Sequence, residues 1–236
     1  KLKKKMKNFK KYISGLFVAF TVSIIGINTN TVQAQDFGAD VVSSYVWRGT
    51  QFGDGAHIQP WMELGSGAIT GGIWGSFPLT GVGMVVGEDA AGNSLFNGGN
   101  ELDLWVTGDL GFMSLTVTNY SFPGQYGGYG AGTGVFDGDI EVSGSTSLGG
   151  IDLTVGYFTD LEALYVEAAF SAGPVDIGLG FGSDGKDAFY GDGLVNLSFG
   201  GSKDIKITEE YSLPVFGSFI YNADSEAAFL VFGASF

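Results

Sequence analysis

Arg48 is the only arginine of the chain, and His57 is the only histidine. A lone histidine can serve as a general base when a nucleophile and an orienting carboxylate lie within reach. Ser43, Ser44 and Ser66 are near His57 in sequence, but no Ser-His-Asp spacing is legible. His57 therefore reads as a solvated residue beside a loop, and no catalytic residue is assigned. Gly180-Phe181-Gly182-Ser183-Asp184-Gly185 matches the glycine pattern of dinucleotide sites. No helix and no βαβ unit follow it, so the match carries no phosphate chemistry. Asp184, Asp187 and Asp192 cluster in one loop and Glu88-Asp89 in another. Carboxylates can hold Ca²⁺, but the spacing is not that of a known calcium loop, and solvated acidic loops are the simpler reading. The chain has no cysteine, which removes disulfides, thiol catalysis and Cys-zinc sites. No metal and no cofactor is expected. What remains is electrostatic: one arginine among many carboxylates.

Those carboxylates need elements to position them, and the dominant period is two. In 101–110, Leu102, Leu104 and Val106 oppose Glu101, Asp103, Thr107 and Asp109. In 139–148, Ile140 and Val142 oppose Asp139, Glu141 and a row of serines. In 151–160, Ile151, Leu153 and Val155 oppose Asp152 and Thr154. Such alternation gives strands with one apolar and one polar face. Residues 161–172 contain good helix formers, yet Leu164, Val166, Ala168 and Phe170 alternate with Tyr165 and Glu167, so a strand is expected there too.

Twelve strands are expected, near 37–50, 56–65, 68–77, 100–109, 111–122, 138–148, 151–160, 162–172, 175–183, 190–200, 203–221 and 226–236, with ten as the alternative. Pro214 makes the segment around it the weakest strand, since proline removes a ladder donor. Short connections such as Gly149–Gly150, Gly173–Pro174 and Gly200–Lys203 alternate with longer ones such as 78–100 and 123–138. The expected fold is all-β: an up-and-down antiparallel transmembrane β-barrel.

The charge is divided along the chain. Seven of the eleven basic residues precede residue 12, and residues 35–236 carry 4 basic against 25 acidic residues, a net charge of −21. That excess of acid argues against nucleic acid as a partner. Residues 1–34 read as a signal peptide starting at Met6, with a basic segment, an apolar stretch over 13–27 and Val32-Gln33-Ala34 before the cut. Residues 35–236 then form the barrel domain, exported to the bacterial outer membrane. Three features favour a membrane barrel over a soluble sandwich. Aromatic rings such as Phe37, Phe112, Phe199 and Tyr211 fall near strand ends, as in interfacial girdles. Mid-strand acids greatly outnumber mid-strand lysines. The chain also ends on an apolar alternating strand with terminal Phe236, which looks like a signal for the barrel-assembly machinery.

Two stretches resemble the TorF-type porins, a family of outer-membrane barrels. The first is Ser43-Ser44-Tyr45-Val46-Trp47-Arg48-Gly49, like a first strand ending in an aromatic-Arg-Gly motif. The second is His57-Ile58-Gln59-Pro60 followed by Gly71-Gly72-Ile73-Trp74-Gly75-Ser76. The family-motif residues are thus Ser43, Tyr45, Trp47, Arg48, Gly49, Gly72 and Trp74. Phe77 stands where the family has asparagine. The resemblance covers about the first quarter of residues 35–236 and implies a barrel and a porin label.

The function expected from all this is a porin-like channel for passive diffusion of small hydrophilic solutes, cation-preferring and not an enzyme. Its partners would be outer-membrane lipid, small solutes or cations, and the assembly machinery. Arg48, Asp40, Glu63, Glu101, Asp103, Glu141, Asp152 and Glu167 are the candidates for the lumen, with Arg48 on the first strand and paired to an inward acid such as Glu63 of the adjacent strand. The alternative is a plugged, non-conducting barrel with a structural or adhesive role, its lumen filled by Tyr165, Trp105 and Tyr120. A barrel enzyme resting on His57 is the third reading, and a secreted soluble β-sandwich the fourth.

Overall fold

The computed structural model describes residues 34–79, 85–88, 94–96, 100–123, 134–136, 138–186 and 189–236. The expected signal peptide lies outside them, apart from Ala34.

Twelve antiparallel strands close into a barrel. In chain order the strands are β1 (Ala34–Val42), β2 (Tyr45–Trp47), β3 (Thr50–Gly53), β4 (His57–Ser66), β5 (Ile69–Pro78), β6 (Val85–Glu88), β7 (Ser94–Phe96), β8 (Glu101–Asp109), β9 (Ser114–Ser121), β10 (Asp139–Leu148), β11 (Ile151–Phe158), β12 (Ala163–Ala172), β13 (Val175–Gly182), β14 (Gly193–Lys206), β15 (Ser212–Asn222) and β16 (Ala227–Ser235). Each barrel strand pairs with its neighbour in sequence, once two small hairpins, β2–β3 and β6–β7, are set aside. The strand expected over 161–172 is β12. Closure comes from β1, which pairs with β4 along its full length and with β16 through three register pairs, Asp40↔Ser235, Val41↔Ala234 and Val42↔Gly233.

The alternation has one meaning throughout. Val142, Val155, Val166, Phe181, Phe219, Leu230 and Phe232 face outward, with Leu230 still 59% exposed. Glu141, Phe158, Tyr165 and Val195 face inward and are buried. Apolar side chains outside and carboxylates inside reverse the arrangement of a water-soluble sandwich.

Two strand boundaries differ from expectation. The Gly200–Lys203 connection is absent: β14 runs straight through it, and the turn lies at 207–211, closed by a hydrogen bond from Ile207 N to Tyr211 O of 3.0 Å. Those glycines allow close backbone approach, since a Cβ on Gly201 would lie 2.7 Å from Pro174 O. Pro214 belongs to β15, opposite Asp204. The second difference is larger. The first strand stops at Val42 and not at residue 50, because 43–56 leaves the wall.

A hairpin folded into the lumen

Val42 and His57 are register partners, so 43–56 is an excursion between two adjacent strands. Within it β2 and β3 pair around Arg48-Gly49, with φ of 49° and 79°. Positive φ at both central residues is the type I′ geometry that suits the twist of a hairpin. Asparagine-glycine is its usual sequence. Arginine in the left-handed region costs on the order of 1–3 kcal/mol, and it needs surroundings that hold it there.

Those surroundings are the opposite wall. Gly49 sits against β14 so closely that a Cβ would lie 1.8 Å from Val195 O. Val195 is the extra residue of a bulge in β14, between the pairs Gly180↔Asn196 and Phe181↔Leu194. Asn222 at the end of β15 donates from Nδ2 to Gly49 O at 3.2 Å. At the base of the hairpin Ser44 Oγ donates to Gly53 O at 2.7 Å, and Gln51 Nε2 donates to Ser44 Oγ at 2.8 Å. Gly53 lies directly over His57: a Cβ there would be 2.0 Å from the imidazole. His57 is therefore only 1% exposed, with Nδ1 2.8 Å from Gly55 O. This corrects its reading as a solvated residue.

Candidate functional site: the lumen and its constriction

Arg48 is carried across the lumen on the tip of the hairpin, which corrects its expected place on the first strand. Its partner is Glu141 of β10, not Glu63. The guanidinium grips both carboxylate oxygens: Nη1 bonds Oε2, and Nη2 donates to Oε1 at 3.1 Å. Nη1 also donates to Tyr190 Oη at 2.5 Å. The Arg48 Cζ lies 4.2 Å from the Trp47 ring centroid and 4.4 Å from that of Tyr165. A planar cation between two rings, forked onto a carboxylate, is arginine recognition that lysine could not reproduce. Tyr190 lies outside the strands. Burial pushes its phenol well above the ordinary tyrosine range, so it stays a neutral donor and acceptor.

Aromatic rings fill the space around this pair. Phe158, Tyr165 and Tyr190 are buried with Leu161, Ala163 and Val195, and Trp47, Tyr120 and Phe189 pack against them. Trp47 and Tyr120 centroids are 5.4 Å apart, and Tyr120 and Phe158 are 5.1 Å apart. Tyr45 on the same hairpin strand as Trp47 meets Trp74 at 5.5 Å. The hairpin thus joins β5, β9, β11 and β12 across the barrel and narrows the loop end of the lumen.

Every expected lumen acid projects inward. Asp40 stands opposite Gln59, and Glu63 opposite Gly72. Glu101 and Asp103 lie on β8, with Asp103 opposite Trp74 and Tyr120. Asp152 near the turn end takes a hydrogen bond from Ser147 Oγ. Glu167 takes one from the Tyr165 hydroxyl and another from Asn196 Nδ2, the latter at 3.0 Å. Of the family-motif residues, Ser43 accepts from Phe232 N at 3.0 Å and so ties the hairpin to β16. Tyr45, Trp47, Arg48 and Gly49 form the hairpin, while Gly72 and Trp74 form the wall of β5 that faces it.

The turn end differs. A cavity of about 590 Å³ lies against Ser114, Ser145, Asp152 and Thr154, and one of about 340 Å³ against Glu167, Asp176, Asn196 and Ser198. The lumen is therefore roomy and polar on the turn side and narrow and aromatic on the loop side. Among the described residues no cluster of acids and histidine has metal-binding geometry. Asp187 and Asp89 lie outside the described residues.

Sequence reasoning missed Tyr190, Asn196, Val195 and Asn222. Tyr190, Val195 and Asn222 touch the hairpin, Asn196 acts through Tyr165 and Glu167, and nothing in the sequence around them marks these roles. No family model and no curated protein matches the sequence. Among solved structures the chain is similar to a five-site mutant of the porin of Rhodopseudomonas blastica, at 13% identity and a TM-score of 0.38. It is also similar to a triple mutant of that porin, at 12% identity and 0.39. Each likeness covers 86% of this chain and 99% of the other. Overlaps this loose assign no activity.

Proposed function

We propose that this barrel spans the bacterial outer membrane and conducts small hydrophilic solutes through a narrow, cation-preferring passage beside the inward hairpin. One observation carries the reading: the barrel encloses a polar, acid-lined lumen with a folded-in constriction among the described residues. Inward carboxylates at Asp40, Glu63, Glu101, Asp103, Asp152 and Glu167 line the lumen, while the charge of Arg48 is already matched by Glu141. In a low-dielectric wall such an excess concentrates cations and repels anions. The apolar outer face supports the membrane setting, since a monomer in water seldom leaves so broad an apolar belt uncovered.

Planar bilayers holding the protein under a KCl gradient test the proposal. The expected result is discrete conductance steps with a reversal potential on the cation-selective side. An anion-selective potential would overturn the preference, and silent bilayers would overturn the channel. Silence would favour the second reading, a plugged barrel, for which the packed aromatic cluster around Trp47 is the specific support.

The membrane setting has its own check. Val155 is at mid-strand on the outer face and 46% exposed. In a lipid belt Val155→Lys should cost about 2–4 kcal/mol and lower the yield of assembled barrel in membranes. Ser145→Lys, which points into the lumen, should assemble normally. Equal yields of the two variants would return the fold to water.

A further inference from the structure

Beneath the hairpin lies a chamber of about 350 Å³ lined by Tyr45, Trp47, Trp74, Trp105 and Tyr120, with Asp103 and Thr118 as its polar walls. Its size is that of a small-ligand pocket. Asp103 is 6% exposed, and its Oδ1 has no hydrogen-bond partner. Glu101, two residues away on the same inward face, is 3% exposed, and its Oε2 is likewise without a partner. The other oxygens are held: Tyr45 bonds Glu101, and the backbone of Ser121 bonds Asp103. Among the described residues no lysine or arginine pairs with either acid; Arg48 is committed to Glu141.

Buried carboxylate oxygens without partners are costly, and a cation offsets that cost most directly. The packed cluster next to it shows how this fold meets the same demand. There Arg48 lies over Trp47 and Tyr165 and is charge-matched by Glu141. The Asp103 chamber repeats those ingredients, aromatic faces and a buried carboxylate, and shares Trp47 with it. It lacks only the cation. An inorganic ion would bond the carboxylates but would leave five rings unused. An alkylammonium head uses both, through the ring faces and the carboxylate charge together.

We propose that this chamber binds a small organic cation bearing an ammonium or alkylated ammonium group, with Asp103 as its counter-ion and Trp74, Trp105 and Tyr120 as its cage. The inference rests on the channel reading for its route of entry from the turn side of the lumen, and it deepens that reading by naming a solute class.

The test uses the whole barrel in detergent micelles, with choline as the probe and 3,3-dimethylbutanol as its neutral isostere. Three of the four tryptophans border the chamber, so intrinsic fluorescence should change saturably with choline, and calorimetry should give one site per chain. The isostere should bind at least about tenfold more weakly, because it keeps the shape and loses the charge. Asp103→Asn should weaken choline by about tenfold or more while the barrel keeps its heat-modifiable gel mobility. Trp105→Leu should do so as well, if Asp103→Asn fails to assemble. Equal binding of choline and its isostere, or no saturable choline binding at all, overturns the site. Bilayer recordings separate the two proposals. Conductance without choline binding leaves the channel and removes the site, whereas choline binding in silent bilayers leaves the site and removes the channel.

Discussion

Replacing residues 43–56 by a two-residue Asn-Gly turn should leave the barrel closed and raise its single-channel conductance severalfold. Val42 and His57 already face each other across the β1–β4 ladder, so the cut ends need no rearrangement. Asparagine-glycine supplies the primed turn that such a ladder accepts. What disappears is the obstruction: Tyr45, Trp47, Arg48 and Phe52, with the rings they hold in place. Some stability goes with them, since an aromatic side chain withdrawn from water contributes about 1.5–3 kcal/mol. Each of the twelve wall ladders is untouched, and heat-modifiable mobility should show the barrel intact. An intact barrel with unchanged conductance would mean that the hairpin is not the constriction.

Glu141→Ala should release the hairpin without removing it. Removing one member of a buried, forked ion pair costs about 3–5 kcal/mol, because the other charge is left stranded. The strained left-handed backbone of Arg48 adds to the incentive to leave. At about 1.4 kcal/mol per factor of ten, the docked-to-undocked ratio should fall by roughly 100-fold or more. An arginine-specific protease gives a clean readout, because Arg48 is the chain's only arginine and its peptide bond is shielded while Gly49 packs on Val195. The variant should be cut after Arg48 at a protease concentration that leaves the parent whole, and its currents should flicker. Glu141→Gln keeps hydrogen bonding and should fall between the two. Equal resistance to the arginine-specific protease in the parent and Glu141→Ala would show that docking rests on the aromatic packing instead.

The barrel itself was legible because its information is local. Period-two alternation needs only residues i and i+2, and it pointed to twelve strands with the expected lumen acids on one face of them. The hairpin was not legible. Tyr45, Val46 and Trp47 continue the alternation of β1, Ser43-Ser44 is a weak turn signal, and Arg-Gly is an unusual type I′ pair. Its inward course is decided by Glu141, Val195 and Asn222, residues brought near only by closure of the sheet. The same distance explains the wrong partner for Arg48. Glu63 was the nearest inward acid by strand adjacency, and adjacency stops being a guide once the chain leaves the wall. His57 was misjudged for a related reason, since its cover, Gly53, belongs to the hairpin. Gly200 and Gly201 failed as turn signals because glycine marks tight backbone approach as well as reversal.

The seam between β1 and β16 sets an order in time. Every other ladder of the wall except β5–β8 joins strands linked by a turn or loop of at most about 20 residues, whereas this one joins Asp40 to Ser235 through three register pairs. Bringing those ends together spans more than four doublings of a ten-residue hairpin loop, roughly 2.5 kcal/mol of additional chain entropy. The reward is the shortest ladder of the wall, extended by the paired bonds between Ala39 and Phe236 at 3.1 and 3.0 Å. Hairpins therefore form early and the circle closes last, so a growing sheet keeps an open edge until β16 meets β1. Trp47, Arg48 and Gly49 meet β10, β11, β12 and β14 only across the curvature that closure imposes, so the constriction is a late product of folding, completed after the wall that it narrows.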